Sequence, residues 1–93
     1  MSYILIRQKF TDYTQWRASF DAMADERQRH GLRNVVVTRN RDDQDEVVVL
    51  FEITDPAAVR EYLHGGDLKA AWKRGTVIPE TNQVTFLDDA APL

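Results

Sequence analysis

The run Val47-Val48-Val49-Leu50-Phe51 is apolar at every position, and no other feature limits the possible folds as much. Side chains of a strand alternate between two faces, so a strand built from this run needs cover on both sides. It is half of a pair. Leu32 to Asn40 carries Val35-Val36-Val37, Glu46 to Thr54 carries the apolar run, and Arg41-Asp42-Asp43-Gln44-Asp45 lies between them. Together they read as a β-hairpin with a solvated loop.

The flanking segments switch period. Tyr3 to Phe10 is short and rich in branched residues, a first strand bounded by Thr11 and Asp12. From Tyr13 the apolar residues recur at Tyr13, Trp16, Phe20 and Met23, the spacing of a helix. Thr11 or Asp12 caps its start, and Gly31 after His30 supplies the left-handed residue at its end. Asp55-Pro56 opens a second helix striped by Val59, Tyr62 and Leu63. Gly65-Gly66 interrupts it, Asp67 caps a further piece carrying Leu68, Ala71 and Trp72, and Gly75 ends that piece. Val77-Ile78-Pro79-Glu80-Thr81 reads as a linker, and Asn82 to Leu87 as a last strand.

The order β-α-β-β-α-β predicts an α+β, ferredoxin-like domain: a four-stranded antiparallel sheet with both helices on one face. No internal linker divides the 93 residues, so one domain is expected, with residues 88–93 as a frayed tail. Parity then sorts the strands. Ile4, Ile6, Gln8, Val47, Val49, Phe51, Ile53, Val84 and Phe86 face the helices. Tyr3, Leu5, Arg7, Val48, Leu50, Glu52 and Leu87 face away. An apolar surface of that breadth usually marks an interface, and a two-fold pairing of identical sheets is the commonest cover. A homodimer is therefore expected, with Arg7 and Glu52 paired inside the interface, because a buried charge must find a partner.

Composition narrows the function classes. The formal charge is -3 and the basic residues are interspersed with acids, which argues against nucleic-acid binding. Cysteine is absent, removing disulfides, thiolate nucleophiles and Cys-ligated zinc. The two histidines stand far apart without clustered carboxylates, so no metal centre is expected. No apolar run approaches the roughly 20 residues that span a bilayer, and the start lacks a basic region followed by a long apolar stretch. A cytoplasmic protein that neither spans nor binds a membrane is expected. Ser2 and Ser19 lack a nucleophile context, and Gly65-Gly66 lacks the spacing of a phosphate-binding loop.

The first strand leading into Asp12-Tyr13-Thr14-Gln15-Trp16 and Phe20, then Gly31, the Val-rich hairpin ending in Phe51-Glu52, the Asp55-Pro56 helix start and the helix ending near Gly75 resemble the dimeric α/β-barrel superfamily. The resemblance is to its small antibiotic-biosynthesis-monooxygenase-like domains and covers nearly the whole chain. It implies the architecture above and a ligand pocket between helices and sheet. It also implies a choice of chemistries, which in the family include cofactor-independent oxygenation of polyketide-like quinols, isomerisation and haem degradation. The haem-degrading pattern implies a first-strand asparagine and a histidine following a tryptophan. Here no Asn lies between Tyr3 and Phe10, and His64 precedes Trp72, so no cofactor is expected.

Trp16, Phe20, Phe51, Tyr62, Trp72 and Phe86 should converge between helices and sheet. Such a cluster serves as plain core or as the walls of a pocket for a flat organic molecule. Within it Gln8, Trp16, Phe51, Tyr62 and Trp72 are the candidate ligand-binding residues, with Gln8 the polar anchor. His64, beside the helix interruption, is the candidate proton donor or acceptor, or else a solvent-facing loop residue. His30, at a helix end, is read as a capping-region residue. The expected function is binding of a small apolar or aromatic molecule, with cofactor-independent oxidation or isomerisation as the catalytic reading and a non-catalytic ligand-binding or interaction module as the alternative.

Overall fold

The structure is a computed structural model describing residues 1–90. Residues 91–93, part of the expected tail, lie outside the described residues. The elements are β1 (Ser2–Phe10), α1 (Tyr13–Ala22), α2 (Ala24–Arg29), β2 (Leu32–Arg39), β3 (Glu46–Ile53), α3 (Pro56–Leu63), α4 (Gly66–Arg74) and β4 (Val77–Asp88). The sheet runs β2-β3-β1-β4 with every neighbouring pair antiparallel. This is the ferredoxin-like α+β arrangement, with each crossover helix broken in two. No helix among the described residues is long and apolar enough to cross a membrane.

β1 and β3 form the centre of the sheet. Ile4 stands opposite Phe51, Ile6 opposite Val49 and Gln8 opposite Val47, all on the face that packs with Trp16, Met23, Val59, Tyr62 and Ala71 in the core. Ile4, Phe10, Val47 and Val59 are fully buried, and each such side chain contributes about 1.5–3 kcal/mol. Leu5, Val48 and Leu50 lie on the opposite face and are half-buried.

The two charges expected to pair on that face do not meet. Arg7 stands opposite Val48, whereas Glu52 stands opposite Tyr3. Parity assigns a face but not a position along the strand, and four residues of offset separate the two by roughly 13 Å. Arg7 instead lies 3.7 Å from Glu46, and the Glu52 carboxylate accepts a 2.7 Å bond from Arg33 on β2.

The helix boundaries follow local chemistry. The Asp12 carboxylate accepts the Gln15 amide, and Asp55 accepts that of Ala58. The first helix was expected to be continuous but breaks at Met23, where the Phe20 carbonyl accepts both the Met23 amide and Arg27 Nη1. Gly65, rather than Asp67, is the N-cap of α4, and Asp67 sits in its first turn. The left-handed residue after α4 is Thr76, at φ 59°. A β-branched residue there costs of the order of 1–3 kcal/mol. Its hydroxyl holds it in place by accepting the amides of Asp12, at 2.9 Å, and Thr11, at 3.3 Å.

The expected linker before the last strand is part of β4. Pairing with β1 runs from Phe10–Val77 and Lys9–Ile78, slips at a bulge, and resumes at Arg7–Gln83. Pro79 falls within the slip, on an edge strand where a missing amide is tolerated. Thr81 Oγ1 takes the place of a ladder carbonyl by accepting the Lys9 amide at 2.9 Å. A second irregularity interrupts β2 between Asn34 and Val36. Nor does the chain fray at residue 88. Asp88 accepts the Ser2 hydroxyl, and Asp89 bonds Met1 through its amide and carboxylate.

Gly31 adopts φ +80°, as expected, and has a second reason to be glycine. A Cβ there would lie 2.8–2.9 Å from the Cβ, N and O of Asp55, beside the bond from the Thr54 amide to the Gly31 carbonyl. Gly31→Ala should therefore cost about 2 kcal/mol or more in chemical unfolding. Unchanged stability would show that the approach of these two turns is not tight.

Candidate functional site

A cleft of about 520 Å³ opens between the helices and the sheet. It exists because the helix layer stops short of the β4 edge. Val84 and Phe86 share the helix-side face with their partners Ile6 and Ile4, yet remain 39% and 62% exposed. The floor is Ile6, Gln8, Val49 and Phe51, and the helices contribute Trp16, Phe20, Met23, Tyr62, Leu68 and Trp72.

A file of rings runs into the cleft, with Tyr13 outside the lining and Trp16, Phe20 and Phe51 within it. Tyr13 and Trp16 are stacked with centroids 6.0 Å apart, Trp16 and Phe20 at 4.9 Å, and Phe20 and Phe51 at 6.2 Å. A guanidinium lies over each end of the helical part: Arg39 at 3.9 Å from the Tyr13 ring, and Arg27 at 3.7 Å from that of Phe20. These are close cation–π contacts.

The polar groups form a directed relay. Trp16 Nε1–H donates to Gln8 Oε1 at 2.9 Å, and Gln8 Nε2 donates to Asn82 Oδ1 at 3.0 Å. The indole can only donate, so it fixes which end of the Gln8 amide faces it, and Gln8 in turn fixes Asn82. The Asn82 NH₂ group is left with no protein partner among the described residues. The β4 bulge makes this contact possible, since bulges re-aim side chains. Ser19 Oγ is occupied, donating to the Ala71 carbonyl at 2.7 Å and tying α1 to α4.

The five residues expected to bind a ligand, Gln8, Trp16, Phe51, Tyr62 and Trp72, all line this cleft. Gln8 is a strut rather than a free anchor, because its amide serves Trp16 and Asn82. His64, the C-cap of α3, lies at the rim, lining the cleft while exposed to solvent. Tyr62 is buried with its ring 5.2 Å from that of His30. Burial raises its phenol pKa, and Arg27 opposes the shift. Among the charged and amide side chains of the lining, Asn82, Arg60 and Arg27 were not foreseen. Arg27 continues the helical stripe 13, 16, 20, 23 by one further step of four. A charge at an apolar stripe position was its signal.

No protein-family profile and no curated protein sequence matches the chain. Solved structures do. A protein of Bordetella bronchiseptica assigned by name as an antibiotic biosynthesis monooxygenase superposes with TM-score 0.76 at 10% identity, covering 96% of each chain. One of Deinococcus radiodurans, with the same assignment, gives 0.72 at 11% identity, covering 100% of this chain and 96% of the other. SnoaB, a cofactor-independent oxygenase from Streptomyces nogalater, gives 0.73 at 17% identity over 99% of this chain and 94% of its own. The chain thus has the ferredoxin-like fold of antibiotic-biosynthesis-monooxygenase domains.

Proposed function

We propose that this chain binds a small, flat, largely apolar organic molecule in the cleft between its helices and sheet. The observation that carries this reading is the cleft itself. Its volume of about 520 Å³ falls within the roughly 300–1,000 Å³ usual for ligand sites, and an aromatic file forms one wall. A core that merely packed its tryptophans would leave no such space, because protein interiors are close-packed.

Catalysis extends the same reading. The likeness to SnoaB, a cofactor-independent oxygenase, favours oxidation of an electron-rich ring over a purely passive binding role. In that chemistry the protein orients the substrate and moves a proton. His64 at the rim is the side chain suited to donate or accept that proton.

The functional unit on this reading is a homodimer joined through the open sheet face. Tyr3, Leu5, Val48 and Leu50 there, with Val36 from β2 and the Leu87 edge, support it. Arg7 and Glu52 take separate places on that face, each already beside an opposite charge of its own sheet.

Dihydroxyanthraquinone, a flat tricyclic probe, should quench tryptophan fluorescence saturably, and Leu68→Trp, which fills the cleft, should weaken it by about tenfold or more. Unsaturable quenching, or quenching indifferent to Leu68→Trp, would remove the ligand reading. With a polycyclic quinol under air, oxygen uptake above autoxidation should fall by about 10²-fold or more in His64→Ala; full turnover in that variant would remove the role of His64. Light scattering at micromolar concentration should give a dimer mass for the wild type and a monomer mass for Val48→Arg. A monomeric wild type would end the dimer reading.

A further inference from the structure

The chain carries 15 acidic against 12 basic side chains, yet the cleft is lined by Arg27 and Arg60 and by no Asp or Glu. Arg27 is the unusual one. It is only 5% exposed, and among the described residues no carboxylate lies within ion-pair distance of it. Asp21, whose field reaches it, is bound to Arg17 at 3.1 Å. A buried charge without a partner is costly.

The guanidinium is held in a definite pose. Nη1 donates to the Phe20 carbonyl at 2.6 Å, and the guanidinium carbon lies 3.7 Å from the Phe20 ring centroid. Nε is buried and has no hydrogen-bond partner. The Nε–Nη2 edge is thus left without a protein acceptor, and that edge is the fork that matches the two oxygens of a carboxylate. The relay from Trp16 through Gln8 leaves the NH₂ of the half-buried Asn82 without a protein partner among the described residues as well. The cleft therefore offers unmatched donors, a positive charge and aromatic walls.

We propose that its ligand is a planar conjugated or aromatic carboxylate, the carboxylate paired with Arg27 and the ring system laid against the aromatic file. This rests on the cleft being a ligand site and adds the charge and chemical class of what enters it. Arg27 then has a reason to be buried: the ligand supplies the missing counter-charge.

The test uses naphthoate and its uncharged amide, naphthamide, titrated calorimetrically into the full chain. Wild type should prefer naphthoate by about tenfold or more, as a charge-assisted pair implies. Arg27→Gln should abolish the preference while leaving naphthamide affinity within about threefold. Arg27→Lys, which keeps the charge but not the fork, should retain part of it, and serves if the glutamine variant does not fold. Equal binding of the two probes by wild type, or equal weakening of both in Arg27→Gln, would overturn the proposal. If dihydroxyanthraquinone binds and naphthoate does not, the cleft reading stands and the carboxylate proposal falls. If neither binds, both fall.

Discussion

Ile4 against Phe51 and Ile6 against Val49 set the register of the two central strands, and everything else hangs on that pairing. A slip of one residue turns over whichever strand moves: Ile4, Ile6 and Gln8 would leave the core if β1 shifted, and Val47, Val49 and Phe51 if β3 did. The helices would meet a different surface and Gln8 would leave the reach of Trp16. Because the run 47–51 is apolar on both parities, hydrophobicity alone would not punish such a slip. What discriminates is the polar content of each face. Gln8 finds Trp16 and Asn82 on one side, whereas Arg7, Glu46 and Glu52 find partners at the margins of the other.

The same pairing accounts for the geometry of the cleft. With β1 and β3 central, the helices cover the middle of the sheet and leave the outer part of β4 open, which is where Val84 and Phe86 stay exposed. The bulge opposite Arg7 and Lys9 carries the chain past Pro79 and sets Asn82 beside Gln8. A stack of rings, a chain of three oriented amide and indole groups and a buried guanidinium then meet in one place. Each group is held by its neighbours within the chain, which is what preorganisation would require of a binding site.

Much of this was legible in the residues. Alternation along β1 and β3 separated the two sheet faces, and the 13, 16, 20, 23 stripe located the aromatic wall. What escaped has physical causes. Arg7 and Glu52 share a face, but face is a local property and register is not. The β4 bulge left little local trace, because Thr81 supplies through its side chain an acceptor that the backbone would otherwise provide. Only Pro79 hinted at it. Arg27 lies on the apolar stripe, but a charged residue at a helix end ordinarily belongs to solvent. Only the turn of the chain at Met23, which brings Arg27 back over Phe20, makes it part of the interior.

The two irregularities in the edge strands have a consequence for crowded solutions. A sheet with free edges can grow sideways by recruiting further strands, the route by which β proteins build fibrils. Here β2 loses its regular ladder near Val35, and β4 loses its own at Pro79, where the ring also removes a donor. Neither border offers an incoming strand a long straight row of amides and carbonyls. The molecule can carry an apolar sheet because its borders resist templating, which leaves the flat of the sheet, rather than its edges, as the surface open to association.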